Sequence, residues 1–163
     1  MKKGIGFFLL VLLSALLLGC GQQAPVAAER IGELLSGLSD LPSGRLYDST
    51  LLPHEEGNPL DADLIADLYS RADGYLEYTG RVEEAALYLS SGMDGEHLEL
   101  AVFVCYGSAD ADAVAEMCLR RAHLVSSYTD LEPEDALVLR SGRTVYFCLG
   151  GPPMLRARLA RVA

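Results

Sequence analysis

The sequence of 163 residues has no tryptophan, and its only lysines, Lys2 and Lys3, stand at the N-terminus. It contains no low-complexity tract and no internal repeat. The glycine motifs that cradle phosphates, Gly-x-Gly-x-x-Gly and Gly-x-x-x-x-Gly-Lys, do not occur. The Gly-x-Ser-x-Gly turn of many hydrolases and the His-Glu-x-x-His helix of zinc proteases are also missing. These absences exclude the nucleotide-binding proteins and the two kinds of hydrolase that carry these sequence motifs.

The N-terminus has the three parts of an export signal. The two lysines precede an apolar run, Ile5 to Leu18, and a small residue stands before Cys20. The run is shorter than the roughly 20 residues that a helix needs to cross a bilayer, and no stop-transfer charges follow it. The stretch Leu17-Leu18-Gly19-Cys20 resembles the lipobox of bacterial lipoproteins. The resemblance implies that residues 1–19 are a signal peptide and that Cys20 becomes the lipidated first residue.

Removal of this signal makes the chain more acidic. The 13 − 2 = 11 remaining basic residues are all arginine and stand against 23 acidic residues, so the formal charge changes from −10 to 11 − 23 = −12. Nucleic acid and anionic lipid would both repel such a chain. We therefore expect no nucleic-acid partner, and we expect attachment through the lipid on Cys20 to the outer face of the bacterial cytoplasmic membrane.

The 163 − 19 = 144 residues that follow the signal have the length of one domain. Residues 20–28 are interpreted as the lipidated cysteine and a short tether, and residues 29–163 as a single domain. Hydrophobic spacing predicts a first helix whose apolar stripe is formed by Ile31, Leu34, Leu35 and Leu38.

Three further helices are predicted. A short second helix begins after the N-cap Asp61 and ends at Gly74. A long third helix is capped by Ser108 or Asp110, and a terminal helix spans Met154 to Val162.

Alternating β-forming residues and turn signals predict two hairpins, the first formed by Glu83–Ser90 and His97–Tyr106, the second by Ala136–Arg140 and Arg143–Leu149. The strand from His97 to Tyr106 is apolar on both faces, which predicts a central position. Proline and glycine make residues 40–60 mostly looped or extended. The predicted fold class is therefore α+β, with a four-stranded antiparallel sheet, helices mainly on one face and the order α-α-β-β-α-β-β-α.

Features between residues 64 and 149 carry a family resemblance. They are Tyr69, Glu99-Leu100-Ala101-Val102-Phe103, Arg120-Arg121, Tyr128, Glu132-Pro133-Glu134 and the hairpin from Ala136 to Leu149. Together they resemble the DUF4358 domain, a family of small, largely Gram-positive bacterial lipoproteins of uncharacterised function. The resemblance implies a domain type and an envelope location. The family has no established catalytic residues, so it assigns none here, and we expect no cofactor or metal.

Three cysteines remain after lipidation of Cys20, and their spacing matches no Cys-x-x-Cys zinc or redox pair. Cys118 falls on the apolar face of the long helix, whereas Cys105 and Cys148 lie in strands. Buried thiols that pack as small apolar side chains are the first expectation. A disulfide between two of them is the main alternative in an exported domain. A nucleophilic or metal-bound thiol is the least favoured.

Other reactive side chains have simpler explanations. A hydrolase triad draws its residues from separate elements, so a solvated helix end accounts better for the run His123, Ser126, Ser127 and Asp130. Two acidic pairs lack the glycine and glutamate of an EF-hand loop and are interpreted as carboxylates at helix starts, namely Asp61/Asp63 and Asp110/Asp112. No catalytic or metal-binding residue is predicted.

The first functional hypothesis is therefore a membrane-anchored, non-enzymatic binding or accessory module that contacts an envelope protein. Its contact region is expected on the sheet face that helices leave open, with Tyr88, Tyr106 or Tyr146. The alternative is an envelope hydrolase or a thiol-dependent enzyme that uses one of the three cysteines or His123. The identity of any small-molecule ligand is left open.

Overall fold

A computed structural model describes residues 26–70, 80–90 and 97–162. In chain order the elements are helix α1 (Val26–Leu35), strand β1 (Gly44–Asp48), helix α2 (Ala62–Ile65) with a π-helical turn after it (Ala66–Ser70), strands β2 (Val82–Ser90) and β3 (Leu98–Cys105), helix α3 (Ser108–Ser126), a 3-10 turn (Pro133–Asp135), strands β4 (Ala136–Ser141) and β5 (Thr144–Gly150), and helix α4 (Pro153–Leu159). The mixed α and β composition with an antiparallel sheet is confirmed.

The sheet has five strands in the order β1-β2-β3-β5-β4, and every neighbouring pair is antiparallel. Both predicted hairpins are present, and β3 is central and buried along its whole length, as its apolar residues on both faces predict. The prediction of four strands was wrong, because β1 lies within residues 40–60. Most of β1 is exposed and it lacks an apolar alternation, so pairing with β2, from Gly44 opposite Ser90 to Asp48 opposite Ala86, defines it.

Helices cover both faces of the sheet, and the prediction of helices mainly on one face was wrong. Helices α2 and α3 pack on the face that carries Phe103 and Phe147. Helices α1 and α4 pack on the opposite face, over Leu100 and Val102. The physical reason is that β3 and β5 present apolar side chains in both directions, and each set needs a covering layer.

The open sheet face expected near three tyrosines is therefore not present among the described residues. Tyr146 is almost completely buried beneath α1 and α4. Tyr88 is half-buried, and its hydroxyl donates to the carbonyl of Pro42 at 2.7 Å. Tyr106 is exposed, but it lies beyond the end of β3.

Several predicted boundaries shift by a few residues. Helix α1 begins at Val26, within the stretch interpreted as tether, and α4 ends at Leu159. Asp61 is confirmed as an N-cap, because its Oδ1 accepts from the N–H of Leu64 at 2.7 Å. Helix α3 begins at Ser108 with Gly107 as its N-cap residue and no side-chain cap. The predicted helix end at Gly74, the loop 91–96 and Cys20 lie outside the described residues.

Candidate functional site

A cleft of about 580 Å³ lies between α1 and α4 on one face of the sheet. This α1–α4 cleft is lined by Val26, Glu29, Arg30, Glu33, Leu34, Tyr146, Arg158, Arg161 and Val162. Its volume falls within the range of small-molecule sites, about 300–1,000 Å³. The lining combines apolar side chains with several charged groups, which is the composition that lets a site both bury and orient a ligand.

The wall formed by α1 is attached to the rest of the domain at both helix ends. At the N-terminal end, the carboxylate of Glu84 in β2 accepts a hydrogen bond from the backbone N–H of Ala27. At the C-terminal end, Arg158 Nη1 donates to the carbonyls of Leu34, at 2.9 Å, and Ser36, at 2.6 Å. An acid at the N-terminus and a base at the C-terminus both complement the helix dipole. Burial of Ile31 between these two attachments completes the docking of α1.

The floor of the cleft holds a fixed positive charge. Arg30 Nη1 donates a hydrogen bond to the hydroxyl of Tyr146, and Arg30 Cζ lies 5.9 Å from the centre of the Tyr146 ring. Because Tyr146 is buried, this contact places the guanidinium against the floor of the cleft. Arg161 is exposed at the rim. Arginine side chains bind carboxylate and phosphate groups well, and in this cleft they stand beside two carboxylates, those of Glu29 and Glu33.

A second cavity, of about 650 Å³, lies beside the start of α4 and is more polar. Its wall includes His97, Asp135, Gly150, Gly151 and Arg156. Gly150 has a φ of +74°, and a Cβ there would lie 2.0 Å from the carbonyl oxygen of His97, so only glycine fits. The close approach of these two backbone segments forms part of the wall of this cavity.

An ionic cluster is buried between α3 and β3, on the sheet face opposite the cleft. Glu99 is completely buried. Arg121 donates hydrogen bonds to its carboxylate from Nε and Nη2 at 2.8 to 3.1 Å. Arg121 Cζ also lies 5.8 Å from the centre of the Tyr69 ring. Among the described residues, the Tyr69 hydroxyl and Nε2 of His97 are buried without a hydrogen-bond partner. His97 Nε2 is 3.8 Å from the nearer oxygen of Glu99.

This environment shifts the pKa values of three members of the cluster. Burial by itself would lower the pKa of Arg121, but its hydrogen bonds and charge attraction with Glu99 outweigh burial and raise that pKa. Burial by itself would raise the pKa of Glu99, but its polar contacts with His97 and Arg121 outweigh burial and lower that pKa below the usual 4.5. Burial and the adjacent Glu99 carboxylate raise the pKa of Tyr69 well above its ordinary value. The cluster therefore holds an ionised carboxylate beside a neutral phenol, enclosed by protein.

Sequence reasoning did not identify this cluster, although a signal was present. Glu99 is the only charged residue in β3, and Arg121 is a lone charge on the apolar stripe of α3. An unpaired buried charge is unfavourable. A lone acidic residue and a lone basic residue in neighbouring apolar elements are therefore expected to form a buried ion pair.

The three cysteines are buried free thiols on the two sides of the sheet. Cys105 and Cys118 lie in the core beneath α3, whereas Cys148 lies in the core beneath α1. Burial, with the carboxylate of Asp110, raises the pKa of Cys105 to about 11, and burial raises that of Cys148 to about 12. Burial also raises the pKa of Cys118 well above its ordinary value. A nucleophilic thiol needs a lowered pKa, so these thiols serve as small apolar side chains.

The residues of the apparent triad do not assemble. His123 is exposed near the end of α3, and the hydroxyls of Ser126 and Ser127 donate to the helix carbonyls of His123 and Leu124 at 2.9 and 2.6 Å. Such bonds back to the helix are typical of a helix end.

Three of the four carboxylates in the two acidic pairs have partners within the fold. Asp110 lies 3.2 Å from Arg81, Asp112 pairs with Arg140, and Asp61 caps α2. Among the described residues, no group of three or more metal-ligating side chains is found. Within the same part of the chain, no helix is long and apolar enough to cross a membrane.

Comparisons with models of known protein families, with curated proteins and with solved structures found no match. The resemblance to the DUF4358 domain therefore stays a prediction from the residues that carry it.

Proposed function

We propose that the protein is a lipoprotein, anchored through Cys20 to the outer face of the bacterial cytoplasmic membrane. Its domain is a non-enzymatic module that binds a negatively charged group of an envelope component in the α1–α4 cleft. The observation that carries this proposal is the presence of three arginines, Arg30, Arg158 and Arg161, around one cleft of an acidic chain. Glu29 and Glu33 also line the cleft, so its lining carries a formal charge of 3 − 2 = +1 within a net negative protein, and this weak local excess favours an anionic group there.

The position of the cleft supports the anchored arrangement. Cys20 precedes Val26 by 26 − 20 = 6 residues, a distance of at most about 20 Å when extended. Because α1 forms one wall of the cleft, a lipid on Cys20 would keep the cleft close to the membrane surface. The raised pKa values of the thiols favour this binding function over the thiol-enzyme alternative.

Replacement of the anchor cysteine tests the location. Cys20→Ala is expected to abolish labelling by a fatty-acid analogue in cells, because the thioether can no longer form. Cys105→Ala serves as the matched control and should remain labelled, since it keeps Cys20 and removes only a buried thiol. Continued labelling of the Cys20→Ala protein would reject the lipid anchor.

Charge reversal at the cleft tests the binding function. We expect Arg161→Glu to reduce the yield of partners captured by crosslinking in cells and identified by mass spectrometry. Arg45→Glu is the control, because Arg45 is also exposed but lies on β1, away from the cleft. Equal capture by both variants would refute the α1–α4 cleft as the binding site. Turnover in a hydrolase screen by the wild-type protein would favour the enzyme alternative.

A further inference from the structure

The side of α1 that faces the α1–α4 cleft carries charges of both signs. Its cleft-lining residues follow the spacing i, i+3, i+4, i+7 and i+8, which places them on one stripe of the helix: Val26, Glu29, Arg30, Glu33 and Leu34. Ala27 and Ile31, which are completely buried against the sheet, lie next to this stripe. The stripe therefore runs from the buried edge of α1 to its exposed side.

The charges on this wall are ordered by depth. Leu34 and Tyr146 are buried at the floor of the cleft, and Arg30 is half-buried with its guanidinium on the Tyr146 hydroxyl. Glu29 and Glu33 are exposed at the mouth. The deepest charge is thus positive, and the negative charges stand nearer to solvent. A ligand that carries both signs fits this order when its anionic end enters first.

The position of Glu33 is not explained by the stability of α1. Within the described chain, neither Glu29 nor Glu33 forms an ion pair, although Arg30 lies one turn from Glu33 and donates to Tyr146 instead. Like charges at i and i+4 repel each other, and a negative charge in the last turn of a helix opposes the helix dipole. Glu33 is subject to both effects, and a cation bound beside it would relieve both.

The opposite wall, formed by α4 and the residues after it, carries the complementary charge. Arg161 is exposed, and no ion pair joins it to another described residue. Arg158 is engaged differently, because its guanidinium donates to the carbonyls of Leu34 and Ser36. Unpaired groups of both signs therefore face the same cleft without neutralising each other.

The floor offers a second hydrogen-bond donor beside the guanidinium of Arg30. The Tyr146 hydroxyl accepts from Arg30, and no acceptor for its own hydrogen is found in the described chain. A phenol hydroxyl donates and accepts at the same time, and a guanidinium has five N–H donors, of which one bond to Tyr146 leaves several free. Two adjacent donors on a buried ring and a half-buried arginine suit the two oxygens of a carboxylate.

We propose that the α1–α4 cleft binds an α-amino acid with an apolar side chain, whose carboxylate contacts Arg30 and Tyr146 and whose ammonium contacts Glu33. The proposal rests on the anion binding proposed above and adds a cationic group to the ligand. The adjacent carboxylate and ammonium of an α-amino acid match Arg30 and Glu33, because residues at i and i+3 of a helix are neighbours about 5–6 Å apart at Cβ.

The remaining lining of the cleft is apolar. Val26 and Leu34 on α1 face Val162 beyond α4, and together they provide contact for an aliphatic side chain. The volume of about 580 Å³ is ample for one amino acid. Apolar contact and two opposite charges together define the ligand class more narrowly than the net charge of the cleft does.

A zwitterionic phospholipid headgroup presents the same two charges in the reverse order. Its amine stands at the free end and its phosphate is attached to the glycerol, so a headgroup that enters from the membrane brings the ammonium to the floor first. There it would meet the guanidinium of Arg30, and like charges brought together are strongly unfavourable. The order of charges in the cleft therefore favours the amino acid.

Titration calorimetry on the full-length protein, purified in detergent and at low salt, tests the ligand class. The probes are leucine, isocaproate, which is leucine without its amino group, leucine amide, which has no carboxylate, and phosphoethanolamine. We expect leucine to bind at least about tenfold more tightly than each of the other three.

The outcomes separate this proposal from the binding of anions in general. Isocaproate that binds as tightly as leucine would overturn the amino acid and leave anion binding in the cleft intact. Tighter binding of phosphoethanolamine would overturn it in favour of a lipid headgroup. No binding of leucine would also reject it, and crosslinking with Arg161→Glu then decides separately on the anion site.

Variants at the two proposed contacts give a second test. We expect Glu33→Gln to weaken the binding of leucine roughly tenfold without weakening that of isocaproate, because only the ammonium loses its partner. Arg30→Gln should weaken both ligands. Glu116→Gln is the matched control, since Glu116 is exposed on α3 across the sheet, and it should change neither. Urea unfolding checks that each variant stays folded. Unchanged leucine binding by Glu33→Gln, or an equal loss for both ligands, would contradict the ammonium site.

Discussion

Arg121 of α3 binds the buried carboxylate of Glu99 in β3, with Nη2 at 2.8 Å from Oε2 and Nε at 3.1 Å from both oxygens. Both side chains are almost inaccessible to solvent. Each charge has therefore lost its hydration and depends on the other for compensation. The contact attaches α3, the longest helix among the described residues, to the central strand at one defined position.

Separate and joint replacement of this pair should have different effects. We expect Arg121→Met and Glu99→Leu each to lower the free energy of unfolding by about 3–5 kcal/mol, because each leaves an uncompensated partner. The double variant Glu99→Leu/Arg121→Met should be more stable than either, since no buried charge remains. Urea unfolding measures all three. A double variant as unstable as the sum of the single changes would contradict the dependence of each charge on its partner.

The lowered pKa of Glu99 predicts a loss of stability in acid. The folded pKa lies below the unfolded value of 4.5, so the unfolded state takes up the proton first as the pH falls. The stability from this group is fully present above about pH 4.5 and is lost as the pH falls through the folded pKa. Urea unfolding at pH 7, 4 and 3 measures the effect. The double variant without the pair should lose less stability between pH 7 and 3, and an equal loss would refute the assignment to Glu99.

The strong local patterns predicted the central elements of the fold. The double-sided apolar character of β3, the Ser141-Gly142 turn and the Asp61 cap are each determined by nearby residues, and the structure contains all three. Strand β1 was missed because its backbone pairing, rather than any side-chain alternation, fixes it as a strand.

The α1–α4 cleft was not predictable in the same way. It depends on which face of the sheet each helix covers, and the helix patterns do not specify that. Arg30 and Arg158 are separated by more than a hundred residues, and only the packing of α1 and α4 brings them to one place. The amphipathic stripe of α1 indicates that the helix is buried on one side but does not name the residues it meets.

The hydroxyl of Tyr69 should contribute little to stability. It is buried without a hydrogen-bond partner in the described chain, whereas its ring packs edge-on against Phe103 and Phe147 at 5.5 and 6.0 Å. We expect Tyr69→Phe to change the free energy of unfolding by less than about 1 kcal/mol, because the hydroxyl makes no well-formed hydrogen bond and only its polar contact with the Glu99 carboxylate is lost. Tyr69→Ala should destabilise by about 3–5 kcal/mol through lost packing. A Tyr69→Phe protein that is clearly less stable in thermal unfolding would show that the hydroxyl has a stabilising partner.

The number of free thiols can be measured directly. We expect the Cys20→Ala protein to show almost no thiol reactive toward Ellman's reagent when folded, because Cys105, Cys118 and Cys148 are buried and their pKa values are raised. In denaturant without reductant, all three thiols should react. A count of one would indicate a disulfide, and rapid reaction in the folded state would indicate an accessible thiolate.

The attachment of α1 by Arg158 makes a prediction about local stability. Its guanidinium donates to two carbonyls at the C-terminal end of the helix, so Arg158→Ala leaves those groups without a charged donor. We expect a loss of about 1 kcal/mol, concentrated in α1. Hydrogen exchange should be faster at residues 26–35 and unchanged in α3. Arg156→Ala is the matched control, because Arg156 lies in the same helix but donates to the carbonyl of Asp135 instead. If both variants accelerated exchange in α1 equally, Arg158 would have no specific role, and the cleft wall would depend on apolar packing alone.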